Sequence, residues 1–462
     1  LIIYDKPFKT YEQQIELLRT RNLNISNQEF AIHALDTISY YDLINRYQKH
    51  FIPDGEHFIE GTTIEQLYSL SMFDRSIQAF ILKYSMFIEN IFKTKLAYTL
   101  SRDFGVDMSV YLAKSKYKES YQNPNNVLTF DAVQLECFKT RNDDKIANNP
   151  TLYYREHHNH IPPWILLKNL SFSNSINLFK LLKNAQRDDV VNELLPNEPD
   201  RIIPLNDKTN FIICALEAIR VFRNAAAHNL DFTALRTDET RKIPSSTLSK
   251  CLPGKILIKK EKKKIEKNEK VYLKGVYGVM LSMMVLLKTD YLKKQFIVDF
   301  LSVFNGIDEG DREIRPFLFQ CYANIADMPA DTQNRFLIYL GAIYVWNKST
   351  HKPNIMSKAK LYTVLTVIAI LSFVFSYATN YIGYNGKMST LAYITTIAFA
   401  FSLMGNGLNT FKLSTQWPFW LLYNIVQLTK AVVQGNFANV GKYIFYIINS
   451  IGALFVWKDS EK

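Results

Sequence analysis

The chain has 462 residues, 48% of them hydrophobic, which is enough for two or three domains with cores of their own. A formal charge of +12 suits an anionic partner, nucleic acid or acidic lipid, and selects neither, because membrane proteins also carry excess lysine beside their spans. Cys137, Cys214, Cys251 and Cys321 lie far apart with no C-x-x-C pair, which argues against a zinc site or a disulfide framework and fits a reducing cytosol. Leu1 in place of an initiating methionine reads as a truncated chain. Asp5, Lys6, Pro7, Glu12 and Glu16 among the apolar positions of residues 1–20 set the expectation of no signal peptide.

Up to about residue 330 the sequence is charged throughout and predicts helix almost everywhere. YEQQIELLRTRN and NQEFAIHALDTISYYDLINRYQKHF each predict an amphipathic helix. Residues 64–105 repeat apolar side chains at spacings of three and four over many turns, and Gly105 marks the stop. SINLFKLLKNAQ and NFIICALEAIRVFRNAAAH continue the pattern, and strand signals are rare. Residues 243–270 break it with Pro244, Pro253 and Gly254, followed by KILIKKEKKKIEKNEK, eight lysines against three glutamates. That composition predicts a solvated loop or an exposed helix start, with phosphate binding as the other reading.

Beyond residue 330 the composition changes. Residues 361–457 hold four charges, Lys387, Lys412, Lys430 and Lys442, and no acid. Segments 361–383, 388–411, 413–429 and a shorter one at 443–457 are apolar enough to predict about four membrane spans, since a bilayer core needs roughly 20 helical residues. Helices buried in a soluble core are the alternative. Lys348, Lys352, Lys358 and Lys360 would hold the preceding flank in the cytoplasm.

The chemistry-bearing string is RNAAAHN, residues 223–229. Arg223 and His228 are five residues apart, about 140° on an ideal helix, whereas Asn224 and His228 share a face. A long arginine side chain, or a helix that ends near Asn229, would gather guanidinium, amide and imidazole together. That set suits RNA cleavage, because the 2′-hydroxyl is a built-in nucleophile, histidine moves protons near neutral pH, and arginine matches phosphate oxygens. No metal is required. The three alanines would let a second copy of the helix approach at a two-fold axis. The competing reading makes His228 a helix cap and gives Arg223 a surface acid as partner. His157, His158 and His160 offer either a metal site or a structural loop packed on Trp164, and the expectation is no metal. Arg75 and Glu89, on the long helix, either line the same cleft or form internal salt bridges.

Several blocks resemble the Abi abortive-infection family of the AbiD and AbiF type: KPFKTYEQQIELLRTRNLNI at 6–25, FAIHALDTISYYDLINRYQKHF at 30–51, LYSLSMFDRSIQAFILKYSMFIENIFKTKLAY at 67–98 and NPTLYYREHHNHIPPWILLKNLSF at 149–172. RNAAAHN falls where that family carries R-N-x-x-x-H. The resemblance spans about residues 5–240. It implies an all-helical HEPN-like fold, a defence role on RNA, a homodimer, and Arg223, Asn224 and His228 as catalytic candidates.

Residues 405–457, together with 336–363, resemble the C-terminal part of PnuC-type nicotinamide riboside or mononucleotide transporters. The resemblance places Trp417, Trp420, Asn424 and Gln427 against a nicotinamide nucleoside. The alternatives for these residues are an interfacial aromatic belt and helix–helix hydrogen bonds. Such transporters have about seven spans and this chain offers four or five, so transport by one copy is not expected. A gene fusion, a frame disruption, an assembly artefact or a membrane tether would each join the two halves.

The expectation is an all-α chain, with an Abi-family HEPN-like domain at 1–330 and a transmembrane segment at 333–462. The expected function is an anti-phage, metal-independent endoribonuclease without cofactors. The alternatives are a non-cleaving RNA-binding defence protein and a transporter fragment fused to an Abi module. RNA, a second copy, a membrane contacted through 361–457 and a nicotinamide nucleoside are the expected partners. The expected location is the inner membrane with a cytoplasmic N-terminal domain, or the cytoplasm if the C-terminal segment is an artefact.

Overall fold

The computed structural model describes residues 6–143, 150–197, 202–238, 242–252, 256–257, 266–305 and 309–349. It then describes residues 416–433 and scattered positions between 370 and 451. The chain divides into two units, residues 1–342 and 343–462, taken separately below.

In the first unit, α1 (Tyr11–Thr20) starts with a capping box in which Thr10 and Gln13 satisfy each other's backbone N–H groups. α2 (Gln28–Thr37) is capped by Asn27. The stretch expected as one helix then breaks at Ser39, whose φ of 53° is left-handed. The chain continues as α3 (Tyr40–Ile44), a 3₁₀ turn at Asn45–Tyr47 and α4 (Gln48–Phe51).

α5 (Ile64–Phe104) is the spine. Its 41 residues reach about 60 Å at 1.5 Å per residue. Thr63 and Gln66 form its N-terminal capping box, and Gly105, at φ 87°, ends it in a conformation that side-chain-bearing residues avoid. Leu67, Leu70, Phe73, Ile77, Ile81, Tyr84, Ile88, Phe92, Leu96 and Leu100 make a buried stripe at spacings of three and four. Burying each such side chain contributes about 1.5–3 kcal/mol.

After α6 (Met108–Tyr111) comes an unforeseen antiparallel hairpin, β1 (Ser120–Gln122) and β2 (Val127–Thr129). Its strands are too short to show an alternation, and only Asn123-Pro124-Asn125-Asn126 marks the turn. The helices α7 (Phe130–Arg141), α8 (Pro150–His157), α9 (Pro163–Asn169), α10 (Phe172–Leu181) and α11 (Asn184–Leu194) lead to α12 (Leu205–Ala227). α5 packs against α9, α11 and α12. The expected apolar face of α12, Phe211, Ile212, Ala215, Ile219 and Phe222, is fully buried.

Residues 243–270 are partly helical, as α13 (Ser245–Cys251) and the start of α14 (Lys267–Tyr272). Residues 258–265 of the lysine run lie outside the described residues. α15 (Val276–Leu286) is buried along its whole length. α16 (Asp290–Ser302), α17 (Glu309–Ile325) and α18 (Thr332–Ser349) follow. Here Phe296, Phe300, Phe304, Phe319 and Phe336 join Phe73 and Phe80 of α5 in one aromatic cluster. All four cysteines are free.

The membrane expectation is corrected. Among the described residues, no helix is long and apolar enough to cross a membrane. The helix Gln416–Val433, which covers most of the span expected at 413–429, carries Gln416, Asn424, Gln427 and Lys430 within 18 residues. α18 likewise carries Asn334, Arg335, Asn347 and Lys348. The spans expected at 361–383, 388–411 and 443–457 fall largely outside the described residues. The all-α class stands. The transmembrane segment, the membrane contact through 361–457 and the inner-membrane location do not.

Candidate functional site

α12 carries RNAAAHN to its C-terminus. The helix ends at Ala227, and His228 is the cap residue, with its backbone N–H on the Asn224 carbonyl at 3.0 Å. Asn229 follows at φ 51°, and the Leu230 N–H returns to the Ala225 carbonyl at 3.0 Å, the pattern of a Schellman stop. Asparagine tolerates this left-handed position where most residues do not. His228 therefore does cap the helix, as the competing reading held, and its side chain is exposed.

The stop is pinned from the N-terminal end of the chain. Arg46 donates from Nη2 to the Asn229 carbonyl at 2.7 Å and from Nη1 to Asn229 Oδ1 at 3.1 Å. Asn229 Nδ2 donates to Asp42 Oδ2 at 3.3 Å, and Arg46 pairs with Asp42 at 2.7 Å and with Asp74 at 3.4 Å. Asp74 is fully buried, and Tyr47 and Gln78 also donate to its Oδ2. Burial pushes this carboxyl up to about 6, against the pull of Arg46 and the two donors.

Arg223 and Asn224 are joined, by Arg223 Nη1 donating to Asn224 Oδ1 at 3.0 Å. Asn224 thus orients the guanidinium, a role not foreseen for it. The Arg223 Nε is shielded from solvent and has no hydrogen-bond partner among the described residues. Arg223 lines a cleft of about 760 Å³ between α5 and α9, and His228 does not. The structure therefore gathers Arg223 and Asn224 and leaves His228 beyond the helix end. Of the three alanines, Ala225 is spent on the core, and Ala226 and Ala227 keep some exposure.

Glu89 fulfils both readings offered for it. It lines the cleft with Arg223 and pairs with Lys93 at 2.7 Å. Lys93 Nζ also donates to the Leu170 carbonyl at 2.6 Å. Burial lowers the Lys93 ammonium from its ordinary value. Glu89 opposes that shift, while the charges of Arg223 and Lys168 add to it. Lys93 and Lys168 were not foreseen. The nearest signal for Lys168 was the IPPW block, four residues ahead of it, and for Lys93 it was Glu89, one helical turn earlier. Arg75 does not line the cleft, and its Nε is buried without a partner among the described residues.

His157 and His158 pack on tyrosines of α8. His157 stacks on Tyr153 with ring centres 4.4 Å apart, and His158 lies 4.3 Å from Tyr154, so their platform is α8 rather than Trp164. Among the described residues no group of three or more His, Cys, Asp or Glu could hold a metal ion.

In the second unit, Trp417, Trp420, Asn424 and Gln427 fall on one face of the helix Gln416–Val433 by their spacing. The Trp417 side chain lies outside the described residues. Trp420 meets Tyr423 edge-on at 5.8 Å. Asn424 is buried and donates to Ser450 Oγ at 3.1 Å, the helix–helix hydrogen bond given as its alternative role.

Comparison with known proteins adds two matches. A family model described as Abi-like protein matches residues 33–232, and one described as nicotinamide mononucleotide transporter matches residues 318–459. No curated protein and no solved structure matches. The first match contains α5, α9 and α12, and with them the whole cleft and the RNAAAHN string. The chain thus carries an Abi-like domain over residues 33–232 and a nicotinamide mononucleotide transporter-like domain over residues 318–459.

Proposed function

We propose that the Abi-like domain is a metal-independent endoribonuclease of the anti-phage defence type, with Arg223, Asn224 and His228 as its working residues. The observation that carries this reading is a guanidinium at a cationic cleft, five residues from an exposed imidazole, within the Abi-like match. In the reaction the 2′-oxygen bonds to phosphorus and the P–O5′ bond breaks. The 2′-hydroxyl gives up a proton and the departing 5′-oxygen takes one. His228 serves one of these transfers and water the other. Arg223 stabilises the charge that builds on the non-bridging oxygens, held in place by Asn224. In EDTA, the full chain is expected to cleave single-stranded RNA. His228→Ala is expected to slow cleavage by about 100-fold or more. Cleavage at an unchanged rate in His228→Ala would remove the assignment.

A second reading, RNA binding without cleavage, is favoured by one observation: His228 does not line the cleft that holds Arg223. Salt-dependent RNA binding by the full chain, with the RNA intact after long incubation, would select it.

A further inference from the structure

The cleft between α5 and α9 brings together side chains that repel one another in the absence of an anion. Arg223, Lys93 and Lys168 line it against a single carboxylate, Glu89, which is already engaged by Lys93. Burial lowers the Lys93 ammonium against the pull of Glu89, and the charges of Arg223 and Lys168 add to that shift. The cleft also carries two aromatic rings left open to solvent, Trp164 of α9 at 48% exposure and Tyr98 of α5 at 62%. Nothing in the core explains them, since neither ring stacks on another aromatic among the described residues. The volume, about 760 Å³, falls within the roughly 300–1,000 Å³ of small-ligand clefts and is large enough for one nucleotide.

Cations beside exposed aromatic faces are the recognition chemistry of unpaired nucleic acid. The cations track the backbone and each ring accepts a base. A duplex cannot use such a wall, because its bases are already stacked. We propose that this cleft is a subsite for one nucleotide of single-stranded RNA, with a base on Trp164 and its phosphate held by Lys168 and Arg223. This rests on the reading that the chain acts on RNA. It assigns Trp164 and Lys168, which lie outside RNAAAHN, to substrate binding, and it makes unpaired RNA the substrate class.

The test uses the wild-type full chain and a fluorescein-labelled single strand with 2′-O-methyl riboses, which cannot be cut through a 2′-hydroxyl. Binding is followed by anisotropy over a range of salt. Trp164→Ala is expected to weaken binding about tenfold, and Trp164→Phe to keep most of it. Lys168→Gln is expected to weaken binding and to lower the salt slope by roughly 0.7, one single-strand phosphate contact. Lys168 is exposed, so its replacement leaves the core intact. Annealing the probe to its complement is expected to weaken binding as well. Equal affinity for parent, Trp164→Ala and Lys168→Gln would overturn this subsite alone. No binding by the parent would overturn both the subsite and the function on which it rests.

Discussion

Asn229 carries no chemistry of its own, yet the end of α12 and the position of His228 depend on it. Arg46 and Asp42 hold it, and Asp74 holds Arg46 from the buried side. Asp74 Oδ1 has no partner among the described residues, so ionising this carboxyl is costly. Its pKa of about 6 lies above the ordinary 3.8, so the protonated form is favoured by folding. The contribution to stability is therefore fully present below pH 3.8 and is lost as pH rises through 6. By linkage this amounts to about 3 kcal/mol. Urea denaturation of wild type and Asp74→Asn should show it as a difference curve that falls between those two pH values, and a flat difference curve would contradict it. The sequence displayed the string 223–229 plainly but not its support. Asp74 and Gln78 were visible only as polar residues set among the apolar positions of α5, which is where a buried network announces itself. Asp42 and Arg46 lie about 180 residues from Asn229 and gave no local signal.

Elements with a long period were the easiest to read. α5 and α12 follow their apolar spacing to within a few residues, because their burial pattern and their caps agree. The hairpin β1–β2 was missed because three residues per strand show no period. The break at Ser39 was missed because a serine, acting as the N-cap of α3, takes the positive φ there, not a glycine. α5 also buries side chains against both the early and the late helices of the first unit. Phe80 and Tyr84 meet Phe296 with ring centres 4.7 Å apart, and Phe73 meets Phe304, Phe319 and Tyr322. Residues 233–342 therefore cover a face of the Abi-like domain that would otherwise stand open. A chain cut at residue 232 is expected to bind an apolar dye and to aggregate, whereas a chain cut at 342 unfolds in one cooperative transition. Equal thermal midpoints for the two would show that α5 does not need this cover. The apolar C-terminal segments misled for a related reason. Low charge alone does not make a span: Gln416, Asn424, Gln427 and Lys430 all fall on one helix of 18 residues.

At the scale of the molecule, an Abi-like domain and a nicotinamide mononucleotide transporter-like domain share one chain, and the described chemistry concentrates in the first. The cleft, the guanidinium and the exposed imidazole all lie within residues 33–232. The excess of positive charge over the whole chain agrees with a polyanionic substrate without identifying it. The central claim is that Arg223 and His228 cut RNA through its own 2′-hydroxyl. The most direct measurement incubates the full chain in EDTA with two single strands of one sequence, one of ordinary ribose and one 2′-O-methylated throughout, and identifies the product ends. The expected result is cleavage of the ordinary strand alone, leaving a 2′,3′-cyclic phosphate and a 5′-hydroxyl. Cleavage of the methylated strand, or 5′-phosphate ends that appear only when Mg²⁺ is restored, would contradict it.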